Sequence, residues 1–331
     1  MGILGFALAG NYKRFYNDLK ELSKTNGKSP IFMFIDTAVS TLVLGSGLQD
    51  YLNYKFYEKS FKERKEYISI GYMAKAYETL APIKYSEFIS NKANFHKNYS
   101  KFVKRECISA EDSFEKFEEF LKNNKYFVYK PLRGLAGANV KKMCADEIES
   151  KEDLYQEIKE EKCLIEQLII QDETWGSLSP NSINTIRIVT TAVGEDIKII
   201  FAGARIGSGK TIADNFHQGG QGVLVDIEKG TLTGNGIDKL LNESQNSITG
   251  IKFDGFRIPY WNEIKEMVIE AAKVNPNIHI VGWDVSISKD GPLIIEGNRG
   301  PGFDLVQVLM KKGTKYMLED LLHQVKKQEK K

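Results

Sequence analysis

Between Gly282 and Gly302 the chain reads GWDVSISKDGPLIIEGNRGPG, and three of its side chains, Asp284, Glu296 and Asn298, are oxygen donors. Apolar and other residues alternate at period two on both sides of Lys289-Asp290-Gly291, the pattern of two strands closed by a short turn with glycine at its end. A turn centred on Asp290 sets position 288 against 292 and position 284 against 296. Asp284 and Glu296 then face each other across the strand pair. Asn298, two residues on, shares the face of Glu296, because strand side chains alternate. Two carboxylates and an amide converging on one spot repel one another unless a cation joins them. Hard oxygen donors of this kind suit Mg2+, which takes one or two carboxylates and completes its shell with substrate phosphates or water. The same residues also fit a solvated acidic hairpin, so the rest of the chain must decide.

A second group of candidate residues precedes the hairpin. Tyr126-Phe127-Val128-Tyr129-Lys130-Pro131 reads as a short strand ending in a lysine, followed directly by Leu132-Arg133-Gly134-Leu135-Ala136-Gly137-Ala138-Asn139. Glycines in such a loop let backbone N–H groups approach an anion closely, and Lys130 and Arg133 add positive charge. Cys163 to Ile169 reads as a strand running into a linker. The strands at 185–193 and 197–206, joined at Gly194-Glu195-Asp196, carry Arg187 and Arg205. Between Gly207 and Gly222 lies a long polar loop with Asn215 and His217, of the kind that is usually functional in a compact domain. Taken singly, Lys130 fits a surface lysine, Arg187 a structural ion pair and His217 a loop histidine. His96, His279 and His323 read as incidental. The run from Ala204 to Thr211 superficially resembles a phosphate-binding P-loop. It has alanine where the motif needs glycine, and loop formers where the motif needs a helix.

These residues need a large scaffold, and 331 residues suffice for two or three lobes. Hydrophobic residues make up 42% and charged residues 27%, which argues against disorder. A net charge of +2 offers no general attraction to nucleic acid. Cys107, Cys144 and Cys163 lack metal or redox spacing and read as reduced thiols of a cytoplasmic protein. The N-terminal MGILGFALAG lacks the charged leader and the length of a signal peptide, so no targeting segment is expected. The apolar run from Ile31 to Gly47 contains Asp36 and is too short to span a bilayer; a buried helix is expected there.

Residues 1–90 read as helices, with an aromatic segment from Asp50 to Tyr57 expected to be core. Helices are further expected at Phe95–Phe102, at Ala110–Asn123 with Ser109 as N-cap, at Glu147–Glu161 and at Pro259–Val274, with a last one from Phe303 to Gln324. A strand is expected at Gly222–Glu228.

With the pieces in this order, the chain resembles the ATP-grasp superfamily from about Lys92 to Asp304, and within it the sugar-transfer-associated and glutamate-ligase-like enzymes. The resemblance implies an α+β fold: two α+β lobes clamping ATP, preceded by a mostly helical N-terminal region. The implied boundaries are 1–90 for the helical region, 91–170 for the small lobe and 171–331 for the lobe with the metal hairpin. Lys92, Lys130, Arg133, Gly134 and Gly137 match the phosphate-gripping positions, and Glu166-Gln167-Leu168-Ile169 the hinge beside the adenine. Asp284, Glu296 and Asn298 match the metal signature for one or two Mg2+ ions, with Mn2+ a substitute. Arg187, Arg205, Asn215 and His217 match positions around the reacting groups.

The implied chemistry is ATP-dependent carboxylate–amine ligation through an acyl phosphate, on small-molecule substrates and without nucleic acid or a membrane span. Phosphorylation of a hydroxyl and a non-catalytic ATP-binding role remain open alternatives. The chain departs from the pattern in two places: Gln167 replaces the usual hinge lysine, and tyrosine-rich helices replace the usual N-terminal α/β lobe.

Overall fold

The computed structural model describes residues 12–131, 140–209 and 219–330. It is 44% helical and 25% strand, with helices preceding the sheets, so the expected α+β class holds. Two compact units emerge: Met1–Leu80 with Gly302–Lys331, and Ala81–Pro301. Gly302–Lys331 thus groups with the N-terminal helices.

In the first unit, α1 (Tyr12–Asn26) buries Phe15 and Leu19, four residues apart on one face. Helix α2 (Pro30–Leu44) has a well-defined start and stop. The Ser29 hydroxyl accepts from Phe32 N–H, Pro30 occupies the first turn, and Gly45 closes the helix in the left-handed region at φ 66°. Its inward face carries Met33, Thr37 and Ser40. Asp36 is bound by both guanidinium nitrogens of Arg64, at 2.7 and 2.8 Å, and by the Tyr51 hydroxyl at 2.8 Å. The expectation of a buried helix is therefore only half right, because the opposite face of α2 is exposed. Tyr51, Tyr54, Phe56 and Tyr57 are core, as expected.

The last helical stretch is two helices, Asp304–Met310 and Lys315–Gln328, because Lys311 turns left-handed at φ 52° and stops the first. The first is tied down by Gln307, whose amide accepts from Ile68 N–H at 2.7 Å and donates to Ile68 C=O at 3.1 Å.

The second unit contains a four-stranded sheet and a seven-stranded sheet. The smaller has the order β1 (Cys107–Ser109), β4 (Cys163–Gln167), β2 (Tyr126–Pro131), β3 (Lys141–Cys144). Its core joins Phe127, Tyr129 and Ile165 to Phe117, Phe120, Leu154 and Tyr155 from the helices Phe114–Asn123 and Lys151–Glu160. Both helices start later than expected. Ser113 and Ser150 cap them by accepting from N–H groups three residues on, whereas Ser109 is a strand residue whose hydroxyl bonds Asp112. The helix expected from Phe95 to Phe102 is two short ones, α3 (Lys92–Asn98) and Ser100–Val103.

The larger sheet is antiparallel throughout. β11 (Gly291–Arg299) lies at one edge, followed by β10 (Ile280–Ser288), β5 (Thr185–Val193), β6 (Asp196–Ile206), β7 (Gln221–Asp226), β8 (Thr231–Ile237) and β9 (Glu243–Ser244). The two glycines of β8, TLTGNGI, dilute its strand signal in the sequence. The helix Trp261–Lys273 packs its buried stripe of Ile264, Met267, Val268 and Ala271 against β5 and β6.

Candidate functional site

The strand pair that opens the sequence argument is a hairpin, and Asp284 does face Glu296. It reaches that pairing by a different route. The turn is one residue tighter, with Ser288 opposite Gly291, and Gly291 at φ 100° supplies the left-handed residue. A β-bulge then leaves Ile295 without a partner between the pairs Val285–Ile294 and Asp284–Glu296. The shorter turn and the extra residue cancel, so the carboxylates still meet.

Asp284 sits between two strands. Arg187 on β5 is its register partner on one side and Glu296 its partner on the other. The Arg187 guanidinium bonds both Asp284 oxygens, through Nε to Oδ1 and through Nη2 to Oδ2 at 3.1 Å. Arg205 on β6 reaches the same Oδ2 at 2.7 Å and donates from Nε to the Thr185 hydroxyl at 3.0 Å. Burial works to raise the Asp284 pKa, but the two guanidinia outweigh it and hold the carboxyl well below the usual range. Glu296 moves the other way. Burial raises it, and the negative charge of Asp284 raises it further. Asn298 donates to Glu296 Oε1 at 3.3 Å.

The donors fit a hard divalent cation. One carboxylate is ionised, the second is strained toward its acid form by the first, and an amide stands beside it. Among the described residues no three His, Cys, Asp or Glu side chains cluster as a metal cage. Two carboxylates and an amide are donors of the type that Mg2+ takes alongside phosphates.

A second cluster centres on Glu166 in β4. Its side chain is 4% exposed and meets three basic groups: His96 Nε2 at 3.0 Å, Arg105 Nε at 2.9 Å and Lys130 Nζ at 2.6 Å. Burial opposes the charge on Glu166, but Arg105, Lys130 and His96 overcome it and depress its pKa strongly. Burial pushes the His96 pKa down, the Glu166 carboxylate pulls it up, and the ring's Nε2 lies at hydrogen-bond distance from that carboxylate. Arg105 spends its two terminal nitrogens on the backbone carbonyls of Ile294 and Ile295, each at 2.9 Å. Those carbonyls belong to the bulge that brings Glu296 opposite Asp284. The two clusters are therefore mechanically joined.

Lys92 is half-buried in the first turn of α3. Burial lowers its pKa, Glu296 and Glu166 raise it, and Lys130 lowers it again, so its ammonium is within electrostatic reach of both clusters. The seating of α3 on β11 requires Gly297, where an added Cβ would stand 2.9 Å from side-chain atoms of Ile89 and Phe95.

Lys92, Lys130, Glu166, Arg187, Arg205, Asp284, Glu296 and Asn298 thus come together. The hinge differs in detail from the sequence expectation. The Glu166 side chain is committed to cations. Gln167 is exposed, with its backbone N–H donating to Glu106 C=O at 3.0 Å, and Leu168 and Ile169 follow the strand as half-buried coil. Arg133, Gly134, Gly137, Asn215 and His217 lie outside the described residues, as does MGILGFALAG.

Two residues were missed. His96, read as incidental, is buried on Glu166. Arg105 sits in Lys104-Arg105-Glu106, whose composition is that of a solvated turn, and nothing local in the sequence distinguishes it.

The model of the sugar-transfer associated ATP-grasp family matches residues 64–326, most of the chain, and the protein belongs to that family. A search of curated proteins found no match. Similar solved structures include the ATP-grasp ligase PsnB complexed with a phosphomimetic variant of its minimal precursor, Mg and ADP. It shares 14% identity over 74% of this chain and 61% of that chain, with a TM-score of 0.45. D-Alanine-D-alanine ligase from Helicobacter pylori shares 14% over 74% and 63%, with a TM-score of 0.44. D-Alanyl-alanine synthetase A from Vibrio cholerae shares 11% over 74% and 68%, with a TM-score of 0.46. The chain spans about three fifths of the length of the first two.

Proposed function

We propose that this protein is an ATP-dependent carboxylate–amine ligase. The observation that carries this reading is the row Arg187–Asp284–Glu296 across three adjacent strands, with Lys92 and the Lys130–Glu166 pair beside it. Lysines neutralise phosphate oxygens of the nucleotide, and Glu166 fixes Lys130 in place so that little ordering remains for binding. Asp284, Glu296 and Asn298 hold Mg2+, or Mn2+ in its place, which when bound neutralises phosphate charge. Arg187 and Arg205 bind oxyanions in planar forks: the transferring phosphoryl and the substrate carboxylate. A cation held by Asp284 would share that carboxylate with Arg187 and Arg205, and the guanidinium N–H groups not spent on Asp284 would serve the substrates.

A carboxylate oxygen attacks the γ-phosphorus, the bond to the β-phosphate oxygen breaks, and ADP leaves with an acyl phosphate formed. An amine then adds to the acyl carbon, phosphate departs with the carbon–oxygen bonding pair, and the nitrogen loses a proton to give the amide. Activation is required because a carboxylate is a poor electrophile, and the protein contributes position and electrostatics. The substrates in this reading are small molecules, with a sugar acid or other cell-surface precursor as the carboxylate, and the use of ATP and the free thiols of Cys107, Cys144 and Cys163 support a cytoplasmic setting.

The test is Mg·ATP with hydroxylamine and a panel of uronic acids, amino acids and peptides. Hydroxamate formed in step with ADP on one panel member is the expected result. ADP release without hydroxamate would overturn carboxylate activation in favour of hydroxyl phosphorylation. Lys130→Ala is expected to weaken ATP binding about 10- to 100-fold, the worth of one charge-assisted bond. Unchanged affinity in a calorimetric titration would remove Lys130 from the phosphate site.

A further inference from the structure

Helix α2 is amphipathic in the wrong sense for a water-facing helix. Its exposed residues are Ile31, Phe32, Ile35, Ala38, Val39, Leu42 and Val43, every one apolar, with Leu42 67% and Ile31 61% exposed. Its single charged residue, Asp36, points inward onto Arg64 and Tyr51, and its buried positions include Thr37 and Ser40. A surface helix normally shows the reverse arrangement. A continuous apolar face of this size marks an interaction site.

The neighbouring helix α1, joined to α2 by ring contacts of Phe15 and Tyr16 with Phe34, supplies a charged border. Lys13, Arg14, Lys20, Lys24 and Lys28 are exposed there and in the connecting turn, against only two exposed acids, Asp18 and Glu21. An apolar face with a basic border complements an anionic bilayer surface. A second copy of the chain fits less well, since a two-fold contact sets the same cationic border against itself.

We propose that α1 and α2 dock this protein onto anionic lipid membranes, with the outward face of α2 entering the headgroup–acyl boundary. The helices lie on the bilayer and do not cross it. No single helix among the described residues is long and apolar enough to span. α2, at about 22 Å, is shorter than the ~30 Å hydrocarbon core; α1 and α2 reach the length and composition of a span only together, as a pair bent by 119°, and the charged, exposed face of α1 favours the surface over the interior. Docking brings the ligase to lipid-borne or membrane-proximal substrates, while the chemistry of the other unit does not depend on it.

The test is flotation of the full chain with vesicles of equal parts phosphatidylcholine and phosphatidylglycerol, and with phosphatidylcholine alone. The protein is expected to float with the anionic vesicles and far less with the neutral ones. The combined change Ile31→Ser, Ile35→Ser and Leu42→Ser is expected to reduce partitioning about a hundredfold or more, since each buried aliphatic side chain accounts for roughly a tenfold change. Because these positions are exposed, hydroxamate formation by the triple variant on soluble substrate should persist, which separates this test from that of the ligase reading. Phe32→Trp gives an independent readout, with blue-shifted emission and quenching by brominated lipid on binding. Three results would overturn the proposal: wild-type protein that stays with the aqueous fraction, a triple variant that floats as well as wild type, or a vesicle-independent dimer that the triple variant dissolves.

Discussion

Glu296→Gln is expected to lower turnover about a thousandfold or more while leaving the protein folded. A metal at phosphate contributes several kcal/mol of charge stabilisation, and about 4 kcal/mol corresponds to that factor. The amide keeps the size of the side chain but donates weakly to a hard cation. Stability should stay within about 1 kcal/mol of wild type or rise slightly, because Glu296 is held above its ordinary pKa by burial and by Asp284. A carboxyl raised in this way costs stability once pH exceeds its unfolded value, so any gain in Tm should be larger at alkaline than at acid pH. Wild-type turnover in the variant, measured as ADP release on an identified substrate, would contradict the metal assignment.

Glu166→Gln carries the largest expected effect on stability. The carboxylate is buried among Arg105, Lys130 and His96, and removing it leaves cations without their counter-ion. Breaking a buried pair from one side typically costs about 3–5 kcal/mol, a Tm decrease of roughly 10 °C at ~2–4 °C per kcal/mol for a domain of this size. The defect also travels. Arg105 holds the carbonyls of Ile294 and Ile295, so a displaced guanidinium loosens the bulge that sets Glu296 opposite Asp284. ATP affinity should therefore fall as well.

The pH dependence has a definite sign. The folded pKa of Glu166 is depressed, so its contribution is present above the unfolded value near ~4.3 and disappears as pH falls toward the folded value. The Tm gap between wild type and Glu166→Gln should be largest near neutrality and narrow below about pH 4. A constant gap across that range, or none at neutral pH, would show that Glu166 does not neutralise the cluster.

Much of the site was legible because local rules determine it. Period-two alternation and a glycine turn place Asp284 opposite Glu296, and a strand-terminal lysine marks Lys130. The register was right although the turn was one residue tighter, since a bulge at Ile295 compensated; alternation alone gives little sign of a bulge. Glu166 was found as a hinge position, yet the role of its side chain depends on His96 and Arg105. These lie 70 and 61 residues away in sequence and share no periodic pattern with it. The outward face of α2 was misread for a related reason. An apolar run looks like a buried helix unless one knows that Asp36 turns inward to Arg64, 28 residues on.

The most direct test of the central claim is the binding of Mn2+, as a Mg2+ substitute, measured by electron paramagnetic resonance in the presence of ATP. Wild-type protein is expected to capture the Mn·ATP complex, with loss of the free-ion signal, and Asp284→Asn and Glu296→Gln are each expected to weaken that capture at least tenfold. Equal capture by wild type and both variants would place the metal and the phosphates elsewhere and contradict the account of this hairpin.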